Sequence, residues 1–582
     1  MGGGMNTGER IAEILLESGI NHVFGLPGGG IIKIYDALYD VQDRISCILA
    51  RHEQSASCMA DMYGRLTGKP GVFMAQGSYV GSSGLFGIME AFTASSPMVI
   101  LTEFHEFSSF SQHAPFACGS GEYGSVDFRN ILKATTKYTT VATTPQEAIQ
   151  GTQFAIKHAV SGTPGPCACI MTGNAITDPV NEDLFPKLYP TPGYLRATTP
   201  HLSRKDVETT VDFLLKAQNP VIISGNGVHV SRAYDELQRL AELLGAPVAT
   251  SFTGKSTFAE NHPLALGVIG ANGQRIAEKK VGEADLLIVI GTKLKPQDTI
   301  FEAPEFINPH KQKIIQIDLE PRNAGWTFPV EMGLIGDAKA ILGQLSDEIS
   351  KKTKNGGRTD IGLFQEELLR EKETHDYFDD EDVRAKVTPI LAPRLVRVLR
   401  EATDESAIIT ADGGNNRQWM LHYFQTTMPR TFFGGGGILS MSWSLPAAFV
   451  AKLLNPDRQC VAVCGDGGFM MQVHILSTAV QYNVPAVFVV MNNSALGMVK
   501  EGQGEKPFVS EFVETDYAKI AESMGCLGLR VEKHSDLRQA LDEALRSERP
   551  AVVDVVIDKD ARMSKIFSPL GLEARKRVAF RM

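Results

Sequence analysis

Between Cys464 and Met498 the chain reads CGDGGFMMQVHILSTAVQYNVPAVFVVMNNSALGM, a pattern that few folds accommodate. The apolar run ending at Cys464 reads as a strand, Gly465-Asp466-Gly467-Gly468 as a tight turn, and Met470 to Gln481 as a helix. The valine-rich run from Ala486 to Met491 reads as a second strand, with Asn492 and Asn493 at its end. A βαβ unit of this kind needs a parallel sheet. Both of its turns then fall on the same carboxyl edge, where open α/β sheets bind ligands. Asp466 at the first turn and Asn493 at the second can face one hard cation, whose remaining ligands would be diphosphate oxygens and water. Glycines beside the aspartate let backbone N–H groups approach a phosphate at a helix N-terminus. Gly-Asp-Gly alone is common turn chemistry. The amide at the second turn is what gives it weight.

Strand and helix patterns alternate through the rest of the chain, so the expected fold is α/β with three doubly wound parallel-sheet domains. Thr7 to Ser18 has helical spacing, His22-Val23-Phe24 is a short strand, and Gly25-Leu26-Pro27-Gly28-Gly29-Gly30 turns into another helix. Ile45 to Leu49 is a strand, after which Glu53 opens a helix, where the dipole favours a carboxylate. The expected divisions are a first domain over 1–185, a central one over 195–345, a linker over 346–388, a third domain over 389–560 and a basic C-terminal lid over 561–582. The linker is read as a polar, solvated connector (Lys351 to Arg358) followed by a charged helix. In the central block, Val221-Ile222-Ile223-Ser224-Gly225-Asn226-Gly227 suggests a dinucleotide loop but lacks the full glycine pattern.

With 582 residues the chain is too long for one core. A net charge of −10 argues against a nucleic-acid partner, no apolar run reaches membrane-spanning length, and MGGGMNTGER is not a signal peptide. The eight cysteines lack paired spacing, which fits a reducing, cytoplasmic setting.

The segment from Gly465 to Asn493 resembles the metal–diphosphate motif of thiamine-diphosphate-dependent enzymes, and FGLPGG…ARHEQSASCMADMYGRLTGKPGV resembles the pyrimidine-binding domain of acetolactate synthase and its relatives. The resemblance spans nearly the whole chain, in the order pyrimidine-binding, central and diphosphate-binding domains. It implies thiamine diphosphate and Mg²⁺ as cofactors, with Asp466, Asn493 and the main-chain carbonyl of Ala495 holding the metal. Glu53 matches the cofactor-activating glutamate, which shares a proton with the aminopyrimidine ring. Pro27, Gly28, Asn415, Asn416, Ser440, Gly465, Gly467, Gly468, Leu496, Gly497 and Met498 fall at cofactor-contacting positions. Met441 takes the place of the large apolar residue that bends the cofactor. A homodimer or homotetramer is implied, since such sites form between subunits. In the central domain, Gly270 to Gly273 and Lys293-Leu294-Lys295 depart from the flavin pattern, so FAD is not expected there; ADP or another nucleotide stays open.

Substrate readings diverge. Acetolactate synthases carry Phe-Gln-Glu where this chain has Gly119 to Asp127, Gly-Pro-Gly where it has Ser78-Tyr79-Val80, and Gln-Trp where it has Lys500-Glu501. Glu122-Tyr123 looks like the acidic-Tyr loop of oxalyl-CoA decarboxylases, and the related 2-hydroxyacyl-CoA lyases carry a C-terminal lid. Arg575, Lys576, Arg577 and Arg581 are candidates for CoA phosphates. The expectation is therefore a lyase cleaving a 2-hydroxyacyl-CoA to formyl-CoA and an aldehyde or ketone, or condensing them in reverse. Glu501 is the expected proton shuttle, Glu122 the second candidate, and Tyr123 a contact for the thioester. The alternatives are an acetolactate synthase-like decarboxylase and carboligase of 2-oxo acids, and a catalytically silent cofactor-binding homologue.

Overall fold

The computed structural model describes residues 5–106, 118–353 and 361–579. Three six-stranded sheets form, and every strand pair in them is parallel. The first runs in space Ser46–Leu49, His22–Leu26, Gly71–Ala75, Met98–Phe104, Pro166–Thr172, Tyr138–Ala142. The third runs Phe432–Gly434, Ile408–Ala411, Cys460–Gly465, Val487–Asn492, Ala551–Val556, Leu527–Val531. Numbered within each sheet, both follow the order 2-1-3-4-6-5, whereas the central sheet follows 3-2-1-4-5-6. The expected α/β class and the three parallel sheets are what the chain forms.

This winding locates the ligand edge. In the third sheet the chain leaves Ile408–Ala411 toward one side and Cys460–Gly465 toward the other, so a crevice opens between their carboxyl ends. Asn415 and Asn416 follow the first of these strands, and Asp466 follows the second.

Two compact units emerge from the packing. One holds 1–197 with 435–456 and 471–485; the other holds 198–434, 457–470 and 486–582. Within the first, helix Ser444–Leu454 packs on helix Glu53–Thr67. Buried hydrophobic side chains line both faces of the strands, as parallel sheets require.

Two expectations shift. The helix expected from Met470 to Gln481 is two helices, Asp466–Met471 and Ile475–Gln481. Gln472 at the break is buried; its Nε2 donates to Ser442 and its Oε1 accepts from Ser55 Oγ, a tertiary demand that periodicity does not reveal. The expected linker is also less of a connector. Helix Ala338–Lys352 runs through its start because Leu345 and Ile349 are buried, and the side chains of Leu368 within helix Ile361–Thr374 and of Phe378 and Val383 beyond it are buried too. Most of the polar run from Lys351 to Arg358 lies outside the described residues.

Candidate cofactor site

Asp466 sits at the start of its helix and is 1% exposed. Its Oδ1 accepts from Gly467 N at 2.8 Å and its Oδ2 from Ala495 N at 3.3 Å, so the two turns of the βαβ unit meet as expected. Burial pushes its carboxyl up to about 6, although backbone N–H groups of Gly467, Ala495, Ser494 and Asn493 oppose that. A buried carboxylate served only by N–H groups is one that a cation would relieve.

The first loop closes on the same place. Gly414 has φ 110°, a left-handed turn that starts helix Asn415–Tyr423. The side-chain oxygens of Asn415 and Asn416 are buried without a hydrogen-bond partner, while Asn416 Nδ2 donates to Gly413 O at 3.0 Å. A Cβ built on Gly497 would lie 2.9 Å from Asn493 Nδ2 and 3.2 Å from Asn415 Nδ2, so two carboxamides converge over that glycine. Among the described residues no cluster of three His, Cys, Asp or Glu side chains could hold a metal. The donors expected from the sequence, the Asp466 carboxylate, the Asn493 carboxamide and the Ala495 carbonyl, are hard oxygens of the kind Mg²⁺ takes together with diphosphate oxygens and water. The residues present fit the cofactor that the sequence implies.

The other unit holds the remaining candidates. Glu53 opens helix Glu53–Thr67, with His52 as its N-cap accepting from Gln54 N at 3.2 Å. Ser440 and Met441 lie in a loop fixed by a residue that sequence reading missed. Glu90 is fully buried and accepts from Gly436 N at 2.7 Å, Gly437 N at 2.8 Å, Ile438 N at 3.1 Å and Ser440 Oγ at 2.9 Å. Arg65 pairs with it at 2.9 Å. Burial alone would raise the Glu90 pKa, but Arg65 and these donors outweigh it and hold the carboxyl below its ordinary value. Leu439 (φ 59°) and Ser442 (φ 73°) flank Met441 in left-handed backbone, strain that such anchoring sustains. A lone Glu in the apolar helix Leu85–Thr93 was the available signal.

The Pro27–Gly28 turn is equally tight. A Cβ on Gly28 would meet Gln76 Oε1 at 2.8 Å, and one on Gly29 (φ 55°) would meet Glu103 Oε1 at 2.6 Å. Glu103, also missed, is buried at the end of its strand, and burial pushes its carboxyl up to about 7.

The substrate candidates fall elsewhere. Glu501 lies in helix Gly497–Gln503, and its two oxygens accept from Met563 N and Ser564 N, each at 2.9 Å. Both oxygens of the expected proton shuttle thus accept from the main chain of the tail. Tyr123 is 96% exposed and Glu122 is exposed beside it, on a loop that Glu106 fixes through Gly119 N, Ser120 N and Ser125 Oγ. Helix Pro569–Ala579 buries Ala574, and Gly571 fits against the main chain of Ala271. Arg575 stacks on Phe567 and Arg577 pairs with Glu573, while Lys576 is exposed and Arg581 lies outside the described residues. The central glycines have an internal explanation: a Cβ on Gly225 would strike Gly291 O at 2.5 Å, and one on Gly227 the Gly291 Cα at 2.6 Å. Their close approach is to another turn of the chain.

Comparison with known proteins agrees with this layout. Residues 5–118 match the thiamine pyrophosphate enzyme N-terminal TPP binding domain, 207–345 the central domain and 412–555 the C-terminal TPP binding domain. The chain belongs to the thiamine pyrophosphate enzymes. A probable acetolactate synthase large subunit of Methanocaldococcus jannaschii is 31% identical, over 98% of this chain and 96% of the relative. The acetolactate synthase large subunit of Corynebacterium glutamicum is 29% identical over 96% and 88%, and the isozyme 3 large subunit of Escherichia coli 28% over 94% of each. No helix among the described residues is long and apolar enough to cross a membrane.

Proposed function

We propose that this chain is an acetolactate synthase-like enzyme that decarboxylates a 2-oxo acid and joins the remaining acyl unit to a carbonyl acceptor. What supports this most is likeness over essentially the full chain to proteins named as acetolactate synthase large subunits. The reading reverses the order expected from the substrate loops. The lyase reading relied on Glu501 and the basic tail, yet Glu501 is engaged by Met563 and Ser564, and Arg577 by Glu573.

Bound thiamine diphosphate supplies the carbon nucleophile and the electron sink for decarboxylation. In this reading Glu53 exchanges a proton with the aminopyrimidine ring nitrogen. Asp466, Asn493 and the Ala495 carbonyl hold Mg²⁺, and Asn415 and Asn416 bind diphosphate oxygens. Ser440 and Met441, in the loop anchored by Glu90, are the residues that would orient the cofactor. Because the family builds its sites between subunits, the working form is a homodimer or homotetramer, and the cytoplasm is its compartment.

The test offers the purified protein thiamine diphosphate and Mg²⁺ with pyruvate in one assay, and formyl-CoA with an aldehyde or ketone in the other. CO₂ release with acetolactate formation supports the proposal. Turnover only in the CoA assay overturns it in favour of the lyase.

A further inference from the structure

A buried polar triad stands behind the loop that carries Asn493 and Ala495. Asn492 ends its strand fully buried, and its Nδ2 donates to Asp554 Oδ1 at 2.9 Å and to Thr515 O at 3.2 Å. Its Oδ1 accepts from Ser494 N at 3.3 Å, inside the metal loop itself. Asp554 is 0% exposed on the strand next to the sheet's edge, and its Oδ2 accepts from Arg530 Nη1 at 2.9 Å and Tyr517 N at 3.1 Å. The register explains the alignment. Asp554 pairs directly with Arg530 on one side and with Val490 on the other, so Asn492, two residues on, shares its face of the sheet.

The same carboxylate therefore reaches both ends of one loop. Through Asn492 it fixes where the metal loop leaves the strand. Through Tyr517 N, and through the Thr515 carbonyl shared by Asn492 and Arg530, it fixes the stretch that returns from it. That returning stretch is bonded to the loop, Leu496 N to Ser510 O at 2.8 Å and Phe512 N to Ser494 O at 2.7 Å. A polar group deep between strands is costly unless fully bonded, and this one is.

We infer that Asp554 and Asn492 are positioning residues for the metal, holding the Asn493 carboxamide and Ala495 carbonyl in place from behind. The inference rests on the reading of Asp466, Asn493 and Ala495 as the metal ligands. Partners that orient metal ligands change metal affinity by roughly ten- to hundred-fold when removed.

The test measures Mn²⁺ binding in the presence of thiamine diphosphate by electron paramagnetic resonance of free Mn²⁺, which needs no turnover. Asp554→Asn and Asn492→Ala are compared with the unsubstituted protein and with Asp466→Asn, all checked for folding by circular dichroism. We expect Mn²⁺ affinity to fall at least about ten-fold in both positioning variants and further in Asp466→Asn. If Asp554→Asn fails to fold, Asn492→Ala carries the test. A folded positioning variant with unchanged affinity, even one that melts earlier, overturns the inference while Asp466→Asn still loses binding. Unchanged affinity in Asp466→Asn overturns the metal-site reading as well.

Discussion

Replacing Glu90 by Gln changes one atom and removes a charge that five donors share. Oε1 serves Gly436 N, Gly437 N and Arg65, and Oε2 serves Ile438 N and Ser440 Oγ. An amide in either orientation points its NH₂ at N–H donors on one side, while the other keeps only neutral hydrogen bonds. Arg65 retains Asp61 at 2.8 Å, so its own loss is partial. Removing one partner from a buried, bonded charge pair costs about 3–5 kcal/mol, and the remaining Asp61 contact places this case at the lower end, about 3 kcal/mol. The penalty falls on the loop carrying Ser440 and Met441, so thiamine diphosphate affinity should drop by ten-fold or more (about 1.4 kcal/mol or more), and the melting temperature should fall by several degrees. Equilibrium dialysis of the cofactor and thermal melts at matched protein concentration would measure both. The pH dependence has a definite sign: the folded pKa is depressed, so the stabilisation is complete above the ordinary value and is lost as pH falls through the lower folded one. A Glu90→Gln protein with unchanged cofactor affinity and melting would refute the anchoring role.

Glu53→Gln should abolish turnover while leaving cofactor affinity and melting nearly unchanged; retained activity would remove it from the chemistry. His422 is buried with Nδ1 donating to Asn272 O at 3.0 Å, and burial holds its pKa down at about 4. Its neutral form is therefore required, stability is lost as pH falls below the unfolded value, and the loss reaches about 2 kcal/mol near pH 5. Melts between about pH 7.5 and 5 should fall more steeply for the natural protein than for His422→Gln, and parallel curves would contradict this. Glu501→Gln removes the charge that accepts from Met563 N and Ser564 N, costing roughly 1–2 kcal/mol of tail docking. Hydrogen exchange over 563–579 should rise, and an unchanged rate would dismiss the latch.

The sequence made legible what turns and strands announce locally. Asp466 after an apolar run, Asn493 after a valine-rich one and Glu53 at a helix start all carry their chemistry in their immediate neighbours. Glu90, Glu103 and Asp554 do not, because each is a carboxylate inside an apolar element whose partners come from distant parts of the chain. Arg65 lies a helix away from Glu90, and Asn492 lies two strands before Asp554. Gly225 and Gly227 illustrate the opposite case. Glycines that suggest a ligand loop are satisfied by Gly291, and only three-dimensional proximity distinguishes the two causes. Glu501 is ambiguous for a related reason: a carboxylate near a cofactor loop has no sequence mark that separates a proton carrier from a cap for the N–H groups of Met563 and Ser564.

The tail's two points of attachment have a practical consequence for handling the protein. Glu501 ties residues 563 and 564 to the helix that follows the Asn493 loop, and Ala271 receives Gly571 and Ser568. An affinity tag fused after residue 582 would follow helix Pro569–Ala579, which these contacts hold. Proteolytic trimming ahead of residue 563 would remove the partners of Glu501 while leaving Asp466, Asn493 and Ala495 in the chain.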